Sequence, residues 1–216
     1  MLASINGNAL TDATITIPYQ GIWHADVTTS LGTLLVGRVT LVLGSLTMQG
    51  SVFRSGFFGG NFNYRIVGGA GGWQKVVPSK VYNSNSSIRL SLVLNDAARA
   101  AGENISLDTD RDIGSFYVRQ QAPAARVLNQ LTASWYVRSD GVTVIGSRSG
   151  NMIASPFDVL GGTDLGIGKV IVATDKPEDF TPGRTFKSLT LSTQTIGGVV
   201  HRLDSSKLRT EVWCDS

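Results

Sequence analysis

Alternation of apolar and polar residues dominates both ends of the chain. In Ala13-Thr14-Ile15-Thr16-Ile17 every second residue is apolar, and Gly37-Arg38-Val39-Thr40-Leu41-Val42-Leu43 is rich in β-branched side chains. A period of two sends successive side chains to opposite faces, so these segments predict strands. Strand, turn and strand follow one another from Ala13 to Val81. Gly44, Gly50, Gly56 and the pair Gly59-Gly60 read as tight turns or bulges, which tolerate a residue without Cβ. A second strand-rich region begins at Lys169-Val170-Ile171-Val172-Ala173 and turns at Thr181-Pro182-Gly183. It continues through Thr185 to Leu191, Gly198 to Arg202 and Leu208 to Trp213.

Between these regions the period changes. Ser86 or Ser87 is placed to cap a helix from Ile88 onward. Its apolar stripe is Leu94, Ala97, Ala98 and Ala101, and Gly102 is suited to ending it in a left-handed conformation. A strand is expected over Ser115 to Arg119, then a second helix with Pro123 in its first turn and Val127, Leu128 and Leu131 on its face. Trp135 to Arg138, the turn Ser139-Asp140-Gly141 and Val142 to Ile145 predict a hairpin. Gly146 to Gly162 reads as loop. The expected architecture is mainly β with an α+β insert: two small β-barrels, residues 1–83 and 163–216, joined by a segment, 84–162, with two short helices and a β-hairpin.

Composition adds a surface argument. Charged residues make up 16% of the 216, well below the usual quarter or so. A surface so short of charge suggests cover by other subunits, so assembly is the first functional expectation. The net charge of +3, from 19 basic and 16 acidic residues, is too small for a dedicated nucleic-acid binder. The apolar stretch from Leu31 to Val42 is interrupted and falls short of the roughly 20 residues of a membrane span. Residues 1 to 20 lack a secretory signal pattern, which favours assembly in the cytoplasm. Cys214 is the single cysteine, which excludes an intramolecular disulfide and a multi-cysteine zinc site.

Candidate chemistry is sparse. Val67-Gly68-Gly69-Ala70-Gly71-Gly72-Trp73 lacks the Gly-Lys-Ser/Thr ending of a phosphate loop and leads into strand-like Gln74 to Val77, so it reads as a glycine-rich sheet edge or a close approach to a neighbouring chain. His24 and His201, with Asp26 or Asp204, show no zinc spacing and read as surface or hydrogen-bonded barrel histidines. No Gly-x-Ser-x-Gly elbow supports a serine nucleophile. Asp108, Asp110 and Asp112 alternate without the closing Glu of a calcium loop. Glu178 and Asp179 read as a turn rather than a glycosidase pair. Phe53, Phe57, Phe58, Phe62 and Tyr64, with Arg54 and Arg65, suit either barrel core and subunit contact or a stacking surface for carbohydrate or nucleic acid. Phe57, Phe58 and Trp73 are the candidate subunit-interface residues. No catalytic residue, metal ligand or cofactor site is expected.

Three phrases carry a resemblance. Val67 to Trp73 is followed by Val81-Tyr82 and by Ala97-Ala98-Arg99-Ala100-Ala101-Gly102-Glu103. Val127-Leu128-Asn129-Gln130-Leu131 leads to Asp140-Gly141-Val142-Thr143-Val144. Phe180-Thr181-Pro182-Gly183-Arg184-Thr185-Phe186 precedes Val199 to Leu203 and Arg209 to Val212. Their order resembles the baseplate or tail hub family of contractile-tailed bacteriophages and the hub portion of secretion-system spike proteins. That resemblance implies a non-enzymatic virion protein: a homotrimeric ring whose two barrels per chain imitate six-fold symmetry. Its implied partners are the tail tube protein, the central spike protein and other baseplate proteins, with DNA passing without specific binding and no membrane contact.

Overall fold

The computed structural model describes residues 3–30, 34–161, 163–188, 191–204 and 207–215. Residues 31–33, Gly162 and residues 189–190, each part of a segment read above, lie outside that set. The first region contains β1 (Ala3–Ile5), β2 (Asn8–Ala9), β3 (Asp12–Pro18), β4 (His24–Thr29), β5 (Arg38–Leu43), β6 (Leu46–Phe58) and β7 (Asn61–Gly68). Next come β8 (Val76–Val77), β9 (Lys80–Asn83), α1 (Leu90–Ala101), β10 (Ile105–Leu107), β11 (Phe116–Arg119), β12 (Ala122–Pro123), α2 (Ala124–Leu131), β13 (Trp135–Val137) and β14 (Thr143–Ile145). The last are β15 (Asp158–Val159), β16 (Lys169–Ala173), β17 (Thr185–Phe186), β18 (Gln194–Asp204) and β19 (Lys207–Asp215). The fold is β-rich with a short helical insert.

Alternation is met where it was read. Ala13, Ile15 and Ile17 of β3 point into the core, as do Val39, Leu41 and Leu43 of β5. Both strand-rich regions belong to one curled, antiparallel twelve-stranded sheet, ordered β15-β16-β19-β18-β3-β4-β7-β6-β5-β1-β2 with β17 also on β18. The seam is β3 against β18, in register from Gly198↔Pro18 to Asp204↔Asp12. Each strand supplies the other with partners for backbone groups that an open edge would leave unpaired. β18 runs for 11 residues, well beyond the expected Gly198 to Arg202.

Not every mid-strand glycine marks a turn. Gly50 and Gly68 face each other across β6 and β7. A Cβ on Gly50 would lie 2.7 Å, and one on Gly68 2.5 Å, from the ring of fully buried Trp23. Their missing side chains make room for that indole, whose N–H donates to the Arg138 carbonyl at 3.2 Å.

The insert docks on the large sheet through its hairpin. Gly21 and β13 exchange backbone hydrogen bonds, and Gln49 N–H reaches the Ser139 carbonyl at 2.6 Å. Arg148 joins insert to sheet: it stacks 4.0 Å from the Tyr136 ring centroid and donates from Nε to the Tyr19 carbonyl at 2.7 Å. Burial pulls its guanidinium down to about 10.

α1 starts at Leu90, two residues after the expected Ile88, with Arg89 rather than Ser86 or Ser87 at its cap position. Asp110 takes over the capping task from a distant loop. Its carboxylate accepts Ser91 N–H at 3.0 Å and Ser91 Oγ–H at 2.7 Å. A carboxylate there also meets the positive end of the helix dipole. Gly102 ends the helix at φ 80°, in the expected left-handed conformation.

Candidate functional site

β6 is 13 residues long and changes character halfway. Leu46 to Ser51 pair with β5, and from Gly50 onward β7 lies on the other side. From Phe53 to Phe58 only β7 accompanies it among the described residues, so the hairpin continues as an arm. Gly59 and Gly60 close it at φ 60° and 80°. Two consecutive positive φ values match the turn that a two-residue hairpin requires, and glycine takes them without strain. At this tip Phe58 is 84% and Phe57 64% exposed. The Phe57 ring lies 4.8 Å from that of Phe62, whereas Tyr64, further down, is buried.

Trp73, grouped with Phe57 and Phe58 by sequence, sits elsewhere. It is 1% exposed, donates its indole N–H to Thr143 Oγ1 at 2.8 Å and packs 6.0 Å from Trp135. Its ring is packed almost wholly into the interior.

The loop leading to Trp73 does bind an anion, and the anion is its own chain's. Glu103 accepts the Gly72 N–H at 2.6 Å on Oε1 and the Ala70 N–H at 2.9 Å on Oε2. The close approach is to the end of α1, since a Cβ on Gly72 would fall 2.0 Å from the Ala101 carbonyl oxygen. Charge-assisted bonds of this kind are roughly twice as strong as neutral ones. The sequence signal was the pairing of the glycine run with the Ala-Gly-Glu helix ending, but spacing alone does not reveal that these segments touch.

Beside the base of the arm, Phe53, Arg54, Arg65, His24 and the edge of Trp73 line a groove of about 660 Å³. Arg54 and Arg65 stand opposite each other in the ladder, and Asp26 pairs with Arg65 at 2.5 Å from the next strand. Burial, then the Arg65 charge, lowers the His24 pKa below its ordinary value.

The remaining candidates resolve into structural roles. His201 is fully buried, with Nδ1 2.9 Å from Thr210 Oγ1, and burial pulls its pKa down to about 4. Asp112 pairs with Arg89 at 3.4 Å and Asp179 with Arg184 at 2.8 Å, while Glu178 is bonded to Ser45. Among the described residues no cluster of three His, Cys, Asp or Glu side chains is placed to hold a metal. Among those same residues no helix is long and apolar enough to cross a membrane.

No protein-family model matches the sequence, and neither does any curated protein. Solved structures do match, over almost the whole chain. A tail protein from Neisseria meningitidis superposes with a TM-score of 0.69 at 11% identity, covering 100% of this chain and 96% of its own. A prophage MuSo2 tail protein from Shewanella oneidensis gives 0.63 at 11%, covering 99% and 96%. An E. coli component of the type VI secretion system, described as structurally similar to the T4 bacteriophage tail proteins gp27 and gp5, gives 0.68 at 10%, covering 99% and 77%. At such identities the likeness is one of fold.

Proposed function

We propose that this chain, sharing its fold with phage tail proteins, is a structural hub of a phage tail or baseplate. It forms a trimeric ring that joins the tail tube to the central spike by matching their symmetries, and it works through complementary surfaces, without catalysis. Residues 1–83 and 163–216 serve as the two barrel-like lobes of each protomer and 84–162 as their connector. Tail tube, spike and other baseplate proteins are its neighbours, and DNA passes without specific binding. The protein acts in the virion tail after assembly in the host cytoplasm. The observation that carries this reading is the arm tip, where Phe57 and Phe58 stay in water in the lone chain. Aromatic rings so placed are typical anchors of protein interfaces. Native mass measurement tests the reading: a trimer, or a tail-particle copy number divisible by three, is expected, and a strict monomer without tail association overturns it.

The groove with Phe53, Arg54 and Arg65 favours a second reading, a carbohydrate- or nucleic-acid-binding module. Under that reading, substituting Phe57 and Phe58 abolishes ligand binding while assembly survives.

A further inference from the structure

The arm leaves three requirements unmet among the described residues of its own chain. Its two terminal rings are in water, and the outer backbone edge of Phe53–Phe58 has no strand beside it among the described residues. Arg54, whose guanidinium lies 5.5 Å from the Phe53 ring, has no ion pair among those residues, while Arg65 opposite it in the ladder holds Asp26. Like charges directly opposite in a ladder are unfavourable, so the arm wants a further carboxylate.

The far end of the same sheet carries the counterparts. Among the described residues β15 is the terminal strand, bonded to β16 on one side only. Asp158, on that strand, is exposed and has no ion pair among the described residues. Next to it lies a groove of about 620 Å³, lined by Ile153, Pro156, Phe157, Val159 and Lys187 among others. Phe157 is half-buried and meets the core rings of Phe180 and Phe186 edge-on at 5.3 and 5.8 Å, leaving aromatic surface in the groove. That volume accommodates apolar side chains of the size offered by the arm.

We infer that the occupant of this groove is a second copy of the chain, inserted by its arm. Phe57 and Phe58 of one protomer pack on Phe157 of the next, and Arg54 pairs with Asp158 across the contact. The inference rests on the hub reading and adds the surfaces through which the ring closes. Arm and groove are different surfaces, so the contact is head-to-tail, the type that generates a ring when its rotation closes. It also brings two open strand edges together, and each is a hazard when left alone. A protein segment can pair with such an edge through alternating N–H and C=O groups, which a nucleic acid does not offer.

Sedimentation of the full chain tests the contact. Phe58→Asp is expected to weaken self-association at least about tenfold. Arg54→Asp and Asp158→Arg should each weaken it by about three- to tenfold, and the double reversal should recover most of the loss. An equimolar mixture of Phe58→Asp, whose groove is intact, and Asp158→Arg, whose arm is intact, should form mixed dimers more tightly than either variant self-associates. If wild-type trimers persist unchanged in every variant, or the double reversal recovers nothing, this contact is wrong while the hub reading survives. A strictly monomeric wild-type chain overturns both.

Discussion

The arm tip at Phe57–Gly60 and the loop at Gly68–Trp73 both set glycines beside an aromatic ring, and they do opposite things. At the tip, glycine serves the backbone: Gly59 and Gly60 take positive φ, and a Cβ on Gly56, Gly59 or Gly60 would meet nothing within 4 Å. In the loop, glycine serves packing. Gly68 yields to Trp23, Gly72 to the end of α1, and the freed N–H groups close on Glu103. One region satisfies its polar groups and rings inside the chain, whereas the other leaves its rings exposed. Whether a glycine-rich aromatic segment is core or contact therefore depends on what lies beside it.

Substitutions can break this contrast, and the largest effect is expected at Gly72. Gly72→Ala places a methyl against a backbone carbonyl that cannot swing aside, and should cost about 3 kcal/mol or more in denaturant unfolding. Glu103→Ala should cost about 2 to 3 kcal/mol by leaving two inward N–H groups without their acceptor. Glu103→Gln, which keeps an acceptor oxygen, should lose less.

The same inward logic at His201 predicts a pH dependence. Unfolded, its imidazole takes up a proton near 6.5; folded, only near about 4. Between those values the unfolded state binds more protons, so stability declines as pH falls, by up to about 1.4 kcal/mol per pH unit. Unfolding curves across that window should flatten in His201→Gln. The smallest effect belongs to the arm: Gly56→Ala should change stability by no more than about 0.5 kcal/mol, because its surroundings are open. A large loss there would remove the distinction between the two regions.

Most local elements were legible. β3, β5, β16 and the hairpin of β13 and β14 lie where alternation and turn residues put them, and Gly102 ends α1 as its position implies. The start of α1 was less legible, because its cap comes from Asp110, 19 residues away from Ser91 in the chain. The burial of Trp73 was not legible, since nothing in a linear pattern distinguishes a loop that folds back from one that reaches out. The arm was half legible: a strand period divides its rings between faces, but only the end of β5 pairing at Ser51 exposes Phe57 and Phe58.

What the sequence determined by itself is two strand-rich regions, a helical insert between them, and a composition poor in charge. These follow from side-chain period, turn geometry and composition, all of which act within a few residues or over the whole chain at once. Tertiary structure decided the seam of β3 with β18, the clamp of Glu103 on the glycine loop, and which rings face water. Each depends on contacts between segments tens of residues or more apart, where burial and hydrogen-bond satisfaction are properties of the folded neighbourhood.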